Sequence, residues 1–175
     1  MPAQELDLDP VDFLTIDAIG KPGQRVFYLQ ARGAEQNVTF ILEKVQVQSL
    51  ALGVEQFLNE LHERLPELTL ESGQFDEDQM HILPPVDPWF RVGELGLAYD
   101  SDRDRVALVL REVMTEESDP EQSSVARLWC TREQLLAAVH WGLEVVNRGR
   151  PICPYCGQPM EPEGHFCPKR NGHKH

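Results

Sequence analysis

The change of hydrophobic period that decides the fold lies in residues 38–65, VTFILEKVQVQSLALGVEQFLNELHERL. Alternate residues from Val38 to Leu42 are apolar, and this period of two is typical of a half-buried strand. From Leu50 onward the apolar residues return at helical spacing. This spacing predicts an amphipathic helix over residues 47–65, with its apolar stripe packed against a sheet.

Two more strands are predicted upstream of this stretch. Residues 11–19 alternate between apolar and polar side chains, so we expect a half-buried strand that presents Thr15 and Asp17 on its polar face. Residues 25–30 form the second predicted strand, and residues 20–24, which contain glycine and proline, join the two as a turn. Three short strands joined by tight turns predict an antiparallel meander.

The same order of elements recurs in the second half of the chain. Three further strands are predicted at residues 91–99, 106–113 and 124–130. Thr131 and Gln134 form a capping box that opens a second amphipathic helix. The two halves also align by residue: Arg25-Val26 with Arg105-Val106, and Gln48-Ser-Leu50-Ala51 with Gln134-Leu-Leu136-Ala137.

The predicted fold class is α+β. Two β-β-β-α repeats form a pseudo-twofold antiparallel sheet covered by two helices, and a C-terminal zinc knuckle follows. Neither half covers its own sheet face, so the two halves must pair to bury a shared core. The predicted units are a first repeat at residues 1–66, an acidic, proline-containing linker at 67–88, a second repeat at 89–148 and a zinc-binding tail at 149–175.

Soft-metal ligands converge in the tail. Cys153 and Cys156 form a C-x2-C pair, and His165 and Cys167 form an H-x-C pair further on. Thiolate and imidazole ligands in this pattern are typical of tetrahedral zinc, and four protein ligands leave no position open to water, so the predicted cofactor is a structural Zn2+. The alternatives are a redox pair and unliganded thiols. Prolines in and around the C-x2-C pair disfavour the helix on which redox pairs usually lie.

The identity of the fourth zinc ligand is open among three histidines. His165 follows a turn at residues 161–164 and is paired with Cys167, and both features favour it as the ligand. His173 and His175 lie within reach of the same ion and remain the alternatives.

The net charge of −13 argues against a protein whose main role is to bind phosphate backbones. The charge is uneven, because the residues from Arg148 onward carry +3 and the rest carries −16. No apolar run is long enough to cross a bilayer, and the N-terminus does not resemble a signal peptide. Three of the four cysteines belong to the metal cluster, which predicts a reducing, cytoplasmic location, and Cys130 is expected to be a buried apolar residue.

A second candidate site is predicted where the strand ends of the two repeats meet. Gln24, Arg25, Glu43 and Lys44 stand at strand ends and offer polar groups to an anionic or nucleotide-like ligand. Nothing in the sequence singles out a nucleophile or a general base among them. The sequence therefore names no catalytic residue and favours binding over catalysis.

Four segments of the sequence carry a resemblance to a known family: GKPGQRVFYLQAR (20–32), FILEKVQV (40–47), FRVGELGLAYDSDRDRV (90–106) and RPICPYCGQPMEPEGHFCPKRNG (150–172). The chain resembles an uncharacterised bacterial repeat-protein family, a domain of unknown function that ends in a Cys/His tail similar to a zinc ribbon. The family's tail pattern, C-P-x-C-G through G-H-x-C-P, corresponds to Cys153, Cys156, His165 and Cys167 and does not include the two later histidines. The resemblance implies no established activity, cofactor or substrate.

The function that the sequence favours is that of a cytoplasmic zinc-binding interaction or adaptor protein with a structural zinc site. One alternative is an enzyme or ligand-binding protein that uses a polar cleft between the two repeats. Another is nucleic-acid binding through the basic tail or the sheet face, which the acidic body disfavours. The sequence does not define the protein partner, the small ligand or the oligomeric state.

Overall fold

The computed structural model describes residues 3–21 and 23–149. They form seven strands and two long helices, so the predicted α+β class is confirmed. Each strand and helix predicted from the hydrophobic pattern is present. The strands are β1 (Glu5–Leu8), β2 (Phe13–Ile19), β3 (Val26–Gly33), β4 (Gln36–Leu42), β5 (Pro88–Asp100), β6 (Arg105–Glu112) and β7 (Val125–Cys130), and the helices are α1 (Lys44–Arg64) and α2 (Arg132–Arg148).

The seven strands form one sheet in the order β1-β7-β6-β5-β4-β3-β2. Its hairpins are antiparallel, but β4 pairs in parallel with β5, and β1 pairs in parallel with β7. The prediction of an antiparallel sheet is therefore wrong in this respect, because the sheet is mixed. The parallel pairing of β4 and β5 follows from their connection, since α1 and the residues after it carry the chain back before the next strand begins.

Strand β1 is missing from the sequence prediction. It has only four residues, Glu5–Leu8, and two of them are acidic, so its alternation is too short to indicate a strand. It pairs with β7 from Glu5↔Val125 to Leu8↔Leu128. Leu8 is 1% exposed, so β1 contributes to the core although its sequence is largely polar.

The sheet closes on itself where β1 leads into β2. The residues between these strands bond to both ends of the strand order. The Val11 amide donates to the Trp129 carbonyl at 2.9 Å, and the Asp12 amide donates to the Arg32 carbonyl at 2.7 Å. Strands β1 and β2 therefore act as one bent strand that joins the two ends of the sheet.

Both helices bury their apolar stripes against the sheet and against each other. Helix α2 begins directly after β7 and runs along β2. Gly142 lies at the centre of this contact, where a Cβ would stand 3.1 Å from the Cβ of Ile16 and from a methyl carbon of Val47 in α1. The missing side chain at Gly142 therefore lets α2 approach both β2 and α1 closely.

The connection between α1 and β5, which contains the predicted linker, packs on the body. We call its residues 72–83 the strap. The strap first follows α2, where the Gly73 carbonyl lies 3.1 Å from the Nδ1 of His140, and the rings of Phe75 and Trp141 are 5.4 Å apart. It then crosses the sheet over β2 and β3.

Polar side chains of the sheet hold the strap in place. Thr15, Gln30 and Thr39 stand side by side on β2, β3 and β4. The Thr15 hydroxyl donates to the Met80 carbonyl at 2.5 Å, and the Gln30 side chain exchanges two hydrogen bonds of 2.9 Å with the Leu83 backbone. Thr15 and Gln30 are 0% exposed. The expectation of a half-buried β2 is therefore wrong, because the strap covers the polar face and satisfies its hydrogen bonds.

Gly33→Ala tests the closure of the sheet. A Cβ at this position would overlap the Pro10 carbonyl oxygen, so the closing residues would have to shift. We expect the free energy of unfolding in urea to fall by about 1–3 kcal/mol, the usual cost of overpacking. Gly53→Ala is the matched control, because a Cβ there meets no atom within 4 Å. It should stabilise α1 by about 0.5–1 kcal/mol, and equal effects of the two substitutions would contradict the constraint.

Candidate functional site

The four predicted zinc ligands, from Cys153 to Cys167, lie outside the described residues, as do His173 and His175. The zinc site therefore stays a prediction. Within residues 3–21 and 23–149, no group of three or more histidine, cysteine, aspartate or glutamate side chains is arranged to hold a metal ion.

Arg25, one of the four predicted ligand-binding residues, holds the C-terminal end of α2. Its guanidinium donates to the Val145 carbonyl at 2.8 Å and to the Val146 carbonyl at 3.4 Å, and it lies over the Phe27 ring at 4.9 Å. Burial lowers the pKa of Arg25, and the charge of Asp17 opposes this effect. A cation at the negative end of a helix stabilises that helix, so Arg25 has a structural role.

The other three predicted ligand-binding residues contact different neighbours. Glu43 is the N-cap of α1, and its carboxylate accepts a hydrogen bond from Arg91 of β5 at 2.5 Å. Lys44 is the first residue of α1, and Gln24 is exposed in the turn between β2 and β3. Arg25 and Glu43 thus bond to different elements, and the four side chains do not form one polar cluster. A ligand for these residues stays a prediction.

Arg132 is the buried centre of a polar cluster that the sequence did not predict. Its guanidinium makes a two-pronged contact with Asp104 at 2.8 and 3.0 Å and donates to the Thr69 carbonyl at 2.5 Å. The Tyr99 hydroxyl donates to the same aspartate at 2.7 Å, and Glu71 forms an ion pair with Arg132 at 3.3 Å. The cluster ties together the β5–β6 hairpin, the start of α2 and the residues that follow α1.

Hydrogen bonding and burial shift the pKa values in this cluster. The hydrogen bonds from Arg132 hold the pKa of Asp104 below its usual value. Burial, followed by the hydrogen bond to Asp104, raises the pKa of Tyr99 to about 12. Burial and then a hydrogen bond with Glu133 raise the pKa of Glu71. The cavity beside Arg132 has a volume of about 60 Å³, well below the roughly 300 Å³ of the smallest usual ligand pockets, so the cluster supports structure.

Cys130 is a buried packing residue, and this prediction is confirmed. It is 1% exposed, and burial raises the pKa of its thiol to about 12. A thiol that keeps its proton near neutral pH is a poor nucleophile and a poor metal ligand. Cys130 therefore has the properties of an apolar core residue.

A surface groove lies between α1 and β5, and we call it the α1–β5 groove. Its volume is about 340 Å³. Gly53 and Phe57 of α1 form one side, and Leu95, Gly96 and Leu97 of β5 form the other. The two leucines are partly exposed along it, so the groove offers an apolar surface that the hydrophobic pattern alone did not indicate.

Asp104→Asn tests the charged contact with Arg132. Asparagine tolerates the positive φ of 52° at this position and keeps one acceptor oxygen, but it carries no charge. The pKa of Asp104 is lower in the folded protein, so its contribution to stability is present above the unfolded pKa of about 3.9 and is lost as the pH falls through the folded value. We expect a loss of about 1 kcal/mol at neutral pH. Urea unfolding should show this loss shrinking as the pH falls below 4.

Asp102→Asn is the matched control for this measurement. Asp102 lies in the same turn and is exposed, so its replacement should change stability by less than about 0.5 kcal/mol at any pH. A loss in Asp104→Asn that stays constant from neutral to acidic pH would contradict the charged contact.

Comparisons with known proteins place the chain in one family. No curated protein and no solved structure matches the chain. Neither described helix is long and apolar enough to cross a membrane. A family model described as a protein of unknown function, DUF3090, matches residues 6–167, and the resemblance to an uncharacterised family is thereby confirmed. The chain belongs to the DUF3090 family of proteins of unknown function.

Proposed function

We propose that the protein holds one structural zinc ion in its tail and acts as an interaction protein. Its ligands are Cys153, Cys156, His165 and Cys167, and the body of strands and helices carries the zinc module. The observation that carries the proposal is the ligand pattern, C-x2-C followed by H-x-C, which is typical of zinc. The family match supports the ligand choice, because it ends at residue 167 and so includes these four residues and leaves out the two later histidines.

The polar side chains of the body support a scaffold role. Arg25, Gln30 and Arg132 each bond to other groups of the protein itself. These side chains therefore hold elements together and leave the interaction role to the tail and to exposed surface. The expected location is the cytoplasm, where reduced thiols stay available to zinc.

We also infer that the body is a tandem of two β-β-β-α units. The first contains the bent strand β1–β2, β3, β4 and α1, and the second contains β5, β6, β7 and α2. The third strand of each unit pairs in parallel with the first strand of the other unit. The pairs Thr39↔Pro88 and Asp7↔Arg127 stand at these two junctions. This reciprocal pairing supports a pseudo-twofold relation between the units.

The helix starts support the same relation. Each helix opens at a capping box with glutamine at its third position, Gln46 in α1 and Gln134 in α2. Gln46 donates to the Val92 carbonyl in β5 at 2.8 Å, and Gln134 donates to the Val11 carbonyl before β2 at 3.0 Å. Each helix thus bonds to the first strand of the other unit. These contacts pair Gln134 with Gln46, whereas the sequence alignment paired it with Gln48.

The zinc content of the purified full-length chain tests the zinc proposal. We expect elemental analysis to find one zinc per chain. Cys153→Ser, Cys156→Ser and Cys167→Ser should each lose it, because each removes one of four ligands. Cys130→Ala is the matched control and should keep its zinc, since this thiol is 1% exposed in the core. A zinc-free wild type whose tail cysteines form a disulfide would contradict the proposal.

Histidine variants identify the fourth ligand in the same assay. His165→Ala should lose zinc, and His173→Ala and His175→Ala should retain it. If His165→Ala keeps its zinc and one of the two later variants loses it, the fourth ligand is that later histidine.

Partner capture tests the interaction role separately. The wild type and Cys153→Ser should be compared as baits at equal amounts, with quantitative mass spectrometry as the readout. We expect a defined protein to be retained by the wild type and depleted in the Cys153→Ser sample, because loss of zinc unfolds the module. Equal capture by both baits would contradict a zinc-dependent contact.

A further inference from the structure

The two helices occupy equivalent places in the proposed repeat, but their outer faces differ in what packs against them. Gln46 and Gln134 stand at the same position after their caps, so each residue of α2 corresponds to the residue 88 positions earlier in α1. The strap lies along one face of α2. No other part of the described chain lies in the same way along the corresponding face of α1.

The strap contacts α2 along almost its whole length. The contacts comprise hydrogen bonds, an aromatic pair and an ion pair, and they begin in the first turn of the helix and end in the last. The α2 residues that meet the strap are Glu133, His140, Trp141 and Arg148.

The counterparts of these residues form an open face on α1. Val45 and Leu52, which correspond to Glu133 and His140, are each 63% exposed. Gly53 corresponds to Trp141, which is 1% exposed between the strap and the core. A Cβ on Gly53 would meet no atom within 4 Å, so the space that an indole fills in one half is open in the other.

The α1–β5 groove continues this open space. Helix α2 comes close to β2 because Gly142 faces Ile16, which is 0% exposed. The counterpart of Gly142 in α1 is Val54, a buried side chain that occupies this position. Because a packed interior has no spare space, the valine side chain keeps α1 further from β5 than α2 is from β2. Leu95 and Leu97 of β5 therefore remain partly exposed.

We propose that residues 150–175 dock on this face of α1 and in the α1–β5 groove, as the strap docks on α2. The proposal rests on the repeat inferred above. The tail follows α2 as residues 65–87 follow α1. The tail is basic, the body is acidic, and Glu60 lines the groove. Apolar side chains for the groove are available in the tail at Ile152, Tyr155 and Phe166.

Photocrosslinking in the full-length chain locates the tail. Leu52 is replaced by p-benzoylphenylalanine, the protein is irradiated, and the linked peptides are mapped by mass spectrometry. We expect links between position 52 and residues 150–175 in the monomer band. The same replacement at Leu70, which is 69% exposed outside this face, is the control and should give no tail links. Links only in a dimer band would assign the groove to a second copy, and an absence of tail links would overturn the proposal.

Limited proteolysis measures the docking energetically. Leu52→Glu should speed tryptic cleavage at Lys169 and Arg170 by about tenfold, the change expected when the burial of one leucine is lost from the docked state. Leu70→Glu should leave the cleavage rate unchanged. Equal rates in the two variants and the wild type would overturn the proposal.

Zinc content measured in the same samples separates the two proposals. A chain without zinc that still gives tail links refutes the zinc site alone. A zinc-loaded chain that gives no tail links and no change on Leu52→Glu refutes the docking alone.

Discussion

The attachment of residues 9–12 to both ends of the strand order is the constraint on which the body depends. Val11 and Asp12 are neighbours in the chain, yet their amides bond to β7 and β3, respectively. The same segment also positions α2, because the Val11 carbonyl accepts the hydrogen bond from Gln134 in its first turn. Without this double attachment, β1 and β2 would present two separate sheet edges, which are sites of unwanted pairing. The closure therefore fixes the curvature of the sheet and the direction of the helix beside it.

Local periodicity was sufficient to predict six of the strands and both helices, since a strand or a helix is encoded within its own residues. It failed where a segment distant in sequence supplies the partner. Thr15 and Asp17 alternate with apolar residues, as a solvent-facing row would, but the backbone of Met80 and Ile82 covers them. Periodicity did not predict β1 for a related reason, because its four residues form a strand through their pairing with β7.

The candidate site residues also differ in whether their partners lie near them or far from them in the sequence. A polar residue at a strand end is compatible both with binding a ligand and with capping a helix. The sequence did not indicate the helix contact of Arg25, because Val145 lies 120 positions away in the chain. Arg132 gave no local signal, since its partners Asp104 and Thr69 come from two other segments. The predicted zinc ligands of the tail differ from these residues, because their spacing can be recognised within a short stretch of sequence.

In the proposed repeat, the difference between the two units follows from adjacent positions on their helices. Glycine at position 142 lets α2 approach β2, and the neighbouring Trp141 supplies the surface on which the strap packs. At the corresponding positions of α1, the order of the large and the small residue is reversed. Val54, in place of Gly142, is the buried side chain, and Gly53, in place of Trp141, faces the groove. Because a packed core transmits a change of volume to the elements around it, exchanging large and small residues at two neighbouring positions moves a helix relative to its strand. In the proposed repeat, the connection between the two units therefore covers α2, whereas the corresponding face of α1 stays exposed among the described residues.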